Sequence, residues 1–297
     1  MTDLRDTYDV AVVGAGPAGL AAAANCARAG LMTVLFDEQA SPGGQIYRAI
    51  STTPLKRDTI FGADYWSGAK LVRDFLASGA QYVPTATVWS LTREREIGVS
   101  VAGLARIVRA EQVILATGAL ERPFPVPGWT LPGVMTVGAA QILLKSSGLV
   151  PHGRTVLAGC GPLLWLLAWQ YLNAGLCVDA ILDTTPRAIR AMTIRHAPDF
   201  VLSSYLAKGL RLLLAVRRRV RVIANVVELR IEGRSHAESV VYRTISETEQ
   251  RLPVDTVFLH QGVVPNVNLA MAVGIEHRWD EMQLWSSTRL ATVESPE

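Results

Sequence analysis

At 297 residues, with 49% hydrophobic and 19% charged residues, the chain can form two domains with cores of their own and is too apolar to be disordered. Its net charge is only +3 and its basic residues are scattered, which argues against a nucleic-acid partner. Three dispersed cysteines, Cys26, Cys160 and Cys177, form no Cys-x-x-Cys pair; they exclude a disulfide framework and a metal site of that kind, and predict a reducing, cytoplasmic setting.

In chain order, the polar residues Asp3, Arg5 and Asp6 lead straight into an apolar strand at 8–13, which predicts no signal peptide. The turn Gly14-Ala15-Gly16-Pro17-Ala18-Gly19 follows, then an alanine-rich helix to about residue 29, closed by Gly30. Residues 31–36 read as a second strand, ending at Asp37 and Glu38, so this is a βαβ unit of about 30 residues. Residues 40–65 are rich in Gly, Pro, Ser and Thr and predict a long functional loop. Helical spacing of Leu71, Val72, Phe75 and Leu76 predicts a helix over 69–78. Segments 82–91, 97–101 and 105–110 read as strands of a small antiparallel insert, and 111–116 as a return to the parallel sheet ahead of Thr117-Gly118. The Pro- and Gly-rich stretch 121–128 predicts a boundary.

Beyond it, a helix over 137–147 and a strand at 154–158 lead to a second glycine turn, Gly159-Cys160-Gly161-Pro162-Leu163-Leu164. Its helix reaches about residue 173, and the next strand, 177–182, ends at Asp183. A helix over 200–216 and an apolar strand at 254–259, closed by His260, complete the pattern. The longest apolar run, 163–169, is far short of the roughly 20 residues that a membrane span needs. Arg217, Arg218, Arg219 and Arg221 read as a solvated helix end. The expected architecture is α/β: two Rossmann-like three-layer dinucleotide-binding domains, the second inserted into the first. Expected bounds are 1–122 for the first domain, 123–150 for a hinge and linking helix, 151–266 for the second domain, and 267–297 for the start of a truncated return, so that the C-terminal return to the first domain is missing.

The first turn has a physical reason at each position. Gly14 makes the tight turn, Gly16 lets backbone approach a pyrophosphate, and Gly19 lets helix and strand touch. The phosphates then meet the free N–H groups of the helix N-terminus, beside Pro17 and Ala18. A carboxylate about 20 residues on should accept from the ribose hydroxyls. Glu38 is the favoured acid, on the expectation that its neighbour Asp37 faces the sheet. The bare backbone of Pro42-Gly43-Gly44-Gln45 and the small residues Ala116, Thr117 and Gly118 at a strand end suggest FAD rather than NAD. The second turn has Leu164 where the third glycine would fall, so its pyrophosphate site is expected to be reshaped. Gly159, Gly161, Pro162, Leu163 and Asp183 therefore predict a weak adenine-nucleotide site at most, for NAD(P) or ATP, without catalytic NAD(P)H. Cys160 reads as a packed small residue, His260 as a structural histidine, and Trp66, Trp89, Trp129, Trp165 and Trp169 as core or interface anchors.

Taken together, these residues resemble the two-dinucleotide-domain flavoproteins that include thioredoxin and ferredoxin reductases. Pro42-Gly43-Gly44-Gln45-Ile46-Tyr47-Arg48, Pro127-Gly128-Trp129-Thr130-Leu131-Pro132-Gly133-Val134 and His260-Gln261-Gly262-Val263-Val264-Pro265-Asn266 are similar to one branch: opine oxidase A subunits, hydrogen cyanide synthase B subunits, and α subunits of heteromeric proline or hydroxyproline dehydrogenases. The resemblance implies an FAD site lined by Gly14, Gly16, Gly19, Glu38, Gly44, Gln45, Thr117 and Gly118, with Pro17, Ala18, Asp37, Arg48, Val88 and Ala116 in the same wall. It also implies a partner flavoprotein subunit where an amino or imino acid (opine, proline or hydroxyproline) is oxidised. In this superfamily a final Gly-Asp segment contacts the flavin's ribityl–phosphate portion, and this branch often adds a cysteine-rich iron–sulfur module; neither occurs before Ser295-Pro296-Glu297, which suggests truncation. No sequence feature points to a catalytic acid or base. Two other readings stand beside this one: a self-contained NAD(P)H-dependent reductase of a small redox protein, and a non-catalytic nucleotide-binding scaffold.

Overall fold

The structure, a computed structural model, describes residues 4–55, 60–187, 204–246, 248–281 and 285–288. The chain divides into two compact units: unit 1, comprising Met1–Arg57, Phe61–Leu120 and Val264–Glu297, and unit 2, comprising Asp58–Ile60 and Glu121–Val263.

Unit 1 begins with β1 (Thr7–Val13), α1 (Pro17–Arg28) and β2 (Thr33–Phe36). β1 is an unbroken, buried apolar run from Val10 to Val13, where both faces of the parallel strand are covered. Pro17 opens α1 with its φ already helical, and alanines carry the helix onward. α2 (Ala63–Leu76) starts six residues earlier than its apolar spacing predicts. Gly68 explains why: a Cβ there would lie 2.3 Å from the Tyr47 ring, so tertiary packing, not propensity, carries the first turns. β3 (Gln81–Val83) and β4 (Ala86–Leu91) divide what reads as one strand; β3 pairs parallel to β2, and β4 antiparallel to β5 (Glu96–Val101). β6 (Leu104–Leu115) merges two expected strands. Its first half pairs antiparallel with β5 and its second half parallel with β1. The sheet order is β3-β2-β1-β6-β5-β4. Ala86, Ile97, Val99 and Val108 of the antiparallel arm share one core with Ala11, Val34, Phe36 and Val83 of the parallel part.

β7 (Ala119–Glu121) follows, and in unit 2 come β8 (Val134–Thr136), α3 (Val137–Ser147), β9 (Thr155–Cys160), α4 (Pro162–Asn173), β10 (Ala180–Asp183), α5 (Ser204–Arg217), β11 (Arg221–Ala224), β12 (Val226–Glu232), β13 (Ser239–Thr244), β14 (Gln250–Pro253) and β15 (Thr256–Gln261). The start of the helix expected from residue 200 lies outside the described residues. A parallel sheet of order β11-β10-β9-β15-β8 carries helices on one face. On its other face lies the antiparallel sheet β12-β13-β14, with Val156, Ala158, Leu182 and Leu259 in one core with Val240, Tyr242 and Val254. Residues 123–150, expected as a separate hinge and linking helix, belong to this unit: β8 pairs with β15, and α3 packs on β15 and α4.

β16 (Val263–Pro265) pairs with β7, so the segments by which the chain leaves and re-enters unit 1 form a two-stranded ribbon. The start of the return to unit 1, expected over 267–297, is present in the described residues: Asn266 N donates to Gly118 O at 2.9 Å, Arg93 Nε donates to Val273 O at 3.1 Å, and α6 (Asn268–Ala272) packs on β4. A hairpin of β17 (His277–Asp280) and β18 (Trp285–Thr288) follows, and residues 289–297 lie outside the described residues. Of the tryptophans expected as anchors, Trp89 and Trp129 are exposed at 53% and 41%, with the Trp89 ring lying across Gly98 at the surface of the antiparallel arm.

Candidate functional site

In unit 1 the end of β1 turns sharply at Gly14, and three chain segments converge there. Ala116 N donates to Val13 O at 2.8 Å, which brings the end of β6 beside the turn. Gly19 is packed so tightly that a Cβ would sit 1.9 Å from Gly14 O and 3.2 Å from the Ala116 methyl. The 42–48 loop folds back over the turn: Gly43 N donates to Ala15 O at 2.8 Å, and a Cβ on Gly44 would lie 2.7 Å from Gly16 Cα. Gly16 itself is the N-cap of α1, has an ordinary extended φ of −73°, and has open space where its Cβ would be. No side chain caps α1, so the helix presents free N–H groups beside that space.

The two acids separate clearly. Asp37 turns towards the glycine turn, accepting from Ala15 N at 2.5 Å through Oδ2 and from Gln39 N at 2.7 Å through Oδ1. Glu38 is exposed. The expectation that Asp37 faces the sheet is therefore corrected. Strand register gives the reason: β2 is buried along its whole length, so alternation of polar and apolar residues offered no guide to which acid faces the turn. Thr117 Oγ1 donates to Asn266 O at 2.6 Å, holding the end of β6 against the returning chain, and Gly118 is open. Pro17 and the exposed Ala18 form the first turn of α1. Arg48 donates through Nη2 to Gln45 Oε1 at 3.1 Å, and its Nε is buried without a partner among the described residues. Val88 lies on β4, two residues past Ala86, whose amide donates to Asp37 O at 2.9 Å; its side chain packs on the unit 1 core.

The second turn repeats this plan with one altered joint. Asp183 lies opposite Gly159 in the β10–β9 register and accepts from Thr185 N at 2.9 Å. Gly161, the N-cap of α4, has φ +98°, a left-handed conformation that Gly16 does not adopt. Leu164 is fully buried in place of the third glycine, while Pro162 is exposed and Leu163 half-buried on the first turn of α4. Leu164→Ala should cost about 2–5 kcal/mol of stability, measured by denaturant unfolding, because it would empty a fully packed position. Burial, followed by the charge of Asp183, raises the Cys160 thiol above the usual range, so the thiol stays protonated; its Sγ donates to Gln261 Oε1 at 3.1 Å. Gln261 Nε2 in turn donates to Thr184 Oγ1 at 2.9 Å, tying three strand ends together. Residues that sequence reasoning missed here are Glu121, Gln261 and Thr184. Glu121 Oε1 lies 2.6 Å from His260 Nδ1, and its Oε2 accepts from Gly138 N at 2.7 Å.

Two paired βαβ turns in one chain mark a known architecture, and the pattern of one family matches residues 8–289. The chain belongs to the pyridine nucleotide-disulphide oxidoreductase family. This family member is 49% identical over 290 residues to the opine oxidase A protein of Agrobacterium tumefaciens, covering 95% of this chain and 58% of that one. It is 32% identical over 284 residues to the hydrogen cyanide synthase protein HcnB of Pseudomonas aeruginosa, covering 91% of this chain and 60% of that one. Both relatives are named as subunits of their enzymes, and the chain spans less than two thirds of the length of each. The solved L-proline dehydrogenase from P. horikoshii shares the fold, with a TM-score of 0.65 at 19% identity, covering 96% of this chain and 48% of that chain. Among the described residues of this family member, no helix is long and apolar enough to cross a membrane, and no group of three or more His, Cys, Asp or Glu could hold a metal ion.

Proposed function

We propose that this chain is the FAD-binding subunit of a heteromeric flavin-dependent dehydrogenase or oxidase acting on an amino or imino acid of the opine, proline or hydroxyproline type. The observation that carries the reading is the open, glycine-walled space at Gly16, where the α1 N-terminus, the Gly43–Gly44 backbone and the Asp37 carboxylate converge. These residues fit a dinucleotide. Gly16 and Gly44 leave room for a pyrophosphate, the α1 amides meet its charge, and Asp37 is the acid at the position for the ribose hydroxyls. Thr117 and Gly118 leave bare backbone at the β6 end for the ring system. FAD, when bound, supplies the capacity to accept and pass on electrons, while the protein binds, orients and shields it. Oxidation of the substrate is assigned to a partner flavoprotein, and no residue of this chain is assigned as catalytic acid or base.

In this reading the second turn is a weak adenine-nucleotide site that does not carry catalytic NAD(P)H, supported by Leu164 and by the altered backbone at Gly161. Releasing the flavin from purified chain and identifying it by chromatography tests the first half of the proposal. Stoichiometric FAD is expected; a chain that takes up no flavin would favour a non-catalytic scaffold. Co-purified with its partner, the flavin should be reduced by the amino or imino acid, and without the partner it should not.

A further inference from the structure

We propose that the outward face of α5 is a docking surface for a lipid bilayer carrying anionic headgroups, through which unit 2 binds a membrane peripherally. The inference goes beyond the proposed function and does not depend on flavin binding in unit 1.

α5 (Ser204–Arg217) is apolar on two faces, where a helix on the surface of a domain needs only one. Its inward face is fixed by Val216, which is fully buried, and the helix packs on α4. Leu210 and Leu214 lie on the opposite face and are 49% and 51% exposed. Ala207, Leu210, Arg211, Leu214 and Arg217 fall at helical spacing on that face, all exposed, with Arg218 just beyond the helix end. Core packing therefore gives no reason for these two leucines, and cations flank them.

The charge on this face is concentrated and one-signed. Lys208, Arg211, Arg217, Arg218, Arg219 and Arg221 are all exposed, and the sequence from 200 to 227 holds no Asp or Glu. Arg211, Arg218, Arg219 and Arg221 make no ion pair among the described residues, whereas Arg230, Arg243 and Arg251 on the antiparallel sheet each pair with a glutamate. Cations in the last turn complement the helix dipole, but that effect fades within one turn and does not explain Arg211, in the middle of α5. The Arg217 guanidinium lies 5.7 Å over the Trp165 ring of α4 and is already engaged there. A convex helix with leucines at its centre and cations at its rim matches a surface that is anionic outside and apolar just beneath. A bilayer containing anionic lipid is such a surface: the leucines enter the boundary between headgroups and acyl chains, and the arginine stems lie along them with their guanidinium groups among the phosphates. An acidic protein segment would meet the charges but leave the leucines in water.

The test is co-sedimentation of the full chain with mixed phosphatidylglycerol–phosphatidylcholine vesicles, set against pure phosphatidylcholine vesicles and against polyglutamate. Binding to the anionic vesicles is expected at low salt and should be lost at about 1 M salt, where the screening length falls to about 3 Å. Each cation near an anionic membrane surface contributes roughly fivefold in affinity, so Arg211→Gln combined with Arg218→Gln should weaken binding roughly thirtyfold. Leu210→Ser combined with Leu214→Ser should weaken it roughly tenfold, a loss that attraction between charges alone would not show. All four side chains are exposed, so both double variants should unfold at the temperature of the parent. Four results would each overturn the proposal: no binding to the anionic vesicles, equal binding to pure phosphatidylcholine, binding unmoved by either double substitution, or tighter binding to polyglutamate. The last would assign the face to an acidic protein. Should a substituted chain fail to fold, hydrogen exchange on the unsubstituted chain decides. Slower exchange in peptides spanning 206–217 on adding anionic vesicles supports the proposal, and unchanged exchange there refutes it.

Discussion

Gly16→Val is expected to leave unit 1 folded and to weaken FAD binding at least roughly a hundredfold, equivalent to about 2.7 kcal/mol. The two halves of that expectation come from one position. The backbone at Gly16 is extended, with φ −73°, and an added Cβ meets nothing in the protein, so the fold has no reason to resist a side chain. In the proposed function the same open space is where a pyrophosphate approaches the α1 amides, and an isopropyl group there would exclude it. Gly19→Ala provides the contrast. Its Cβ would collide with Gly14 O at 1.9 Å, backbone that cannot give way without opening the turn. It should lower stability by about 1–3 kcal/mol or more as well as releasing flavin. Thermal unfolding beside flavin content separates the two outcomes. Unfolding of Gly16→Val, or its retention of FAD, would contradict the assignment of this space.

Asp37→Ala should have the second large effect, and Glu38→Gln almost none. Asp37 accepts from two backbone amides, Ala15 N and Gln39 N, and so ties the end of β2 to the glycine turn. Charge-assisted hydrogen bonds of this kind contribute about 1.5–3 kcal/mol each, so losing both should cost about 3 kcal/mol or more of unit 1 stability. FAD affinity should fall as well, because the proposed function also gives this acid the ribose hydroxyls. Glu38 is exposed, and its substitution should stay within about 0.5 kcal/mol. Denaturant unfolding and FAD titration of both variants check this; a larger loss from Glu38→Gln would reverse the assignment.

Much of the fold was legible because local signals agreed with tertiary demand. Pro17 and Pro162 after glycines, the alanine run in α1 and the apolar run in β1 each suit one element only, and α1, α3 and α4 lie where the pattern puts them. Legibility failed where a distant residue decides. The first turns of α2 depend on Tyr47 filling the face left bare by Gly68. β6 runs on past Ala110 without a break because it changes partner at Arg109, from β5 to β1. At the site, the glycines and the small β6 end were readable, but the choice between adjacent acids was not, since every residue of β2 is buried. The pair Glu121 and His260 joins residues 139 apart, and nothing in the hinge-like stretch around Glu121 announces a buried carboxylate.

On the proposed function, the chain holds a flavin that NAD(P)H does not reduce. Anaerobic titration of the FAD-loaded chain with micromolar NADH or NADPH, followed in the visible flavin absorbance, tests it directly. The band should persist with either nucleotide, and in the presence of the partner it should bleach on adding the amino or imino acid. Rapid bleaching by NADH or NADPH alone would contradict the account and make the chain a self-contained reductase.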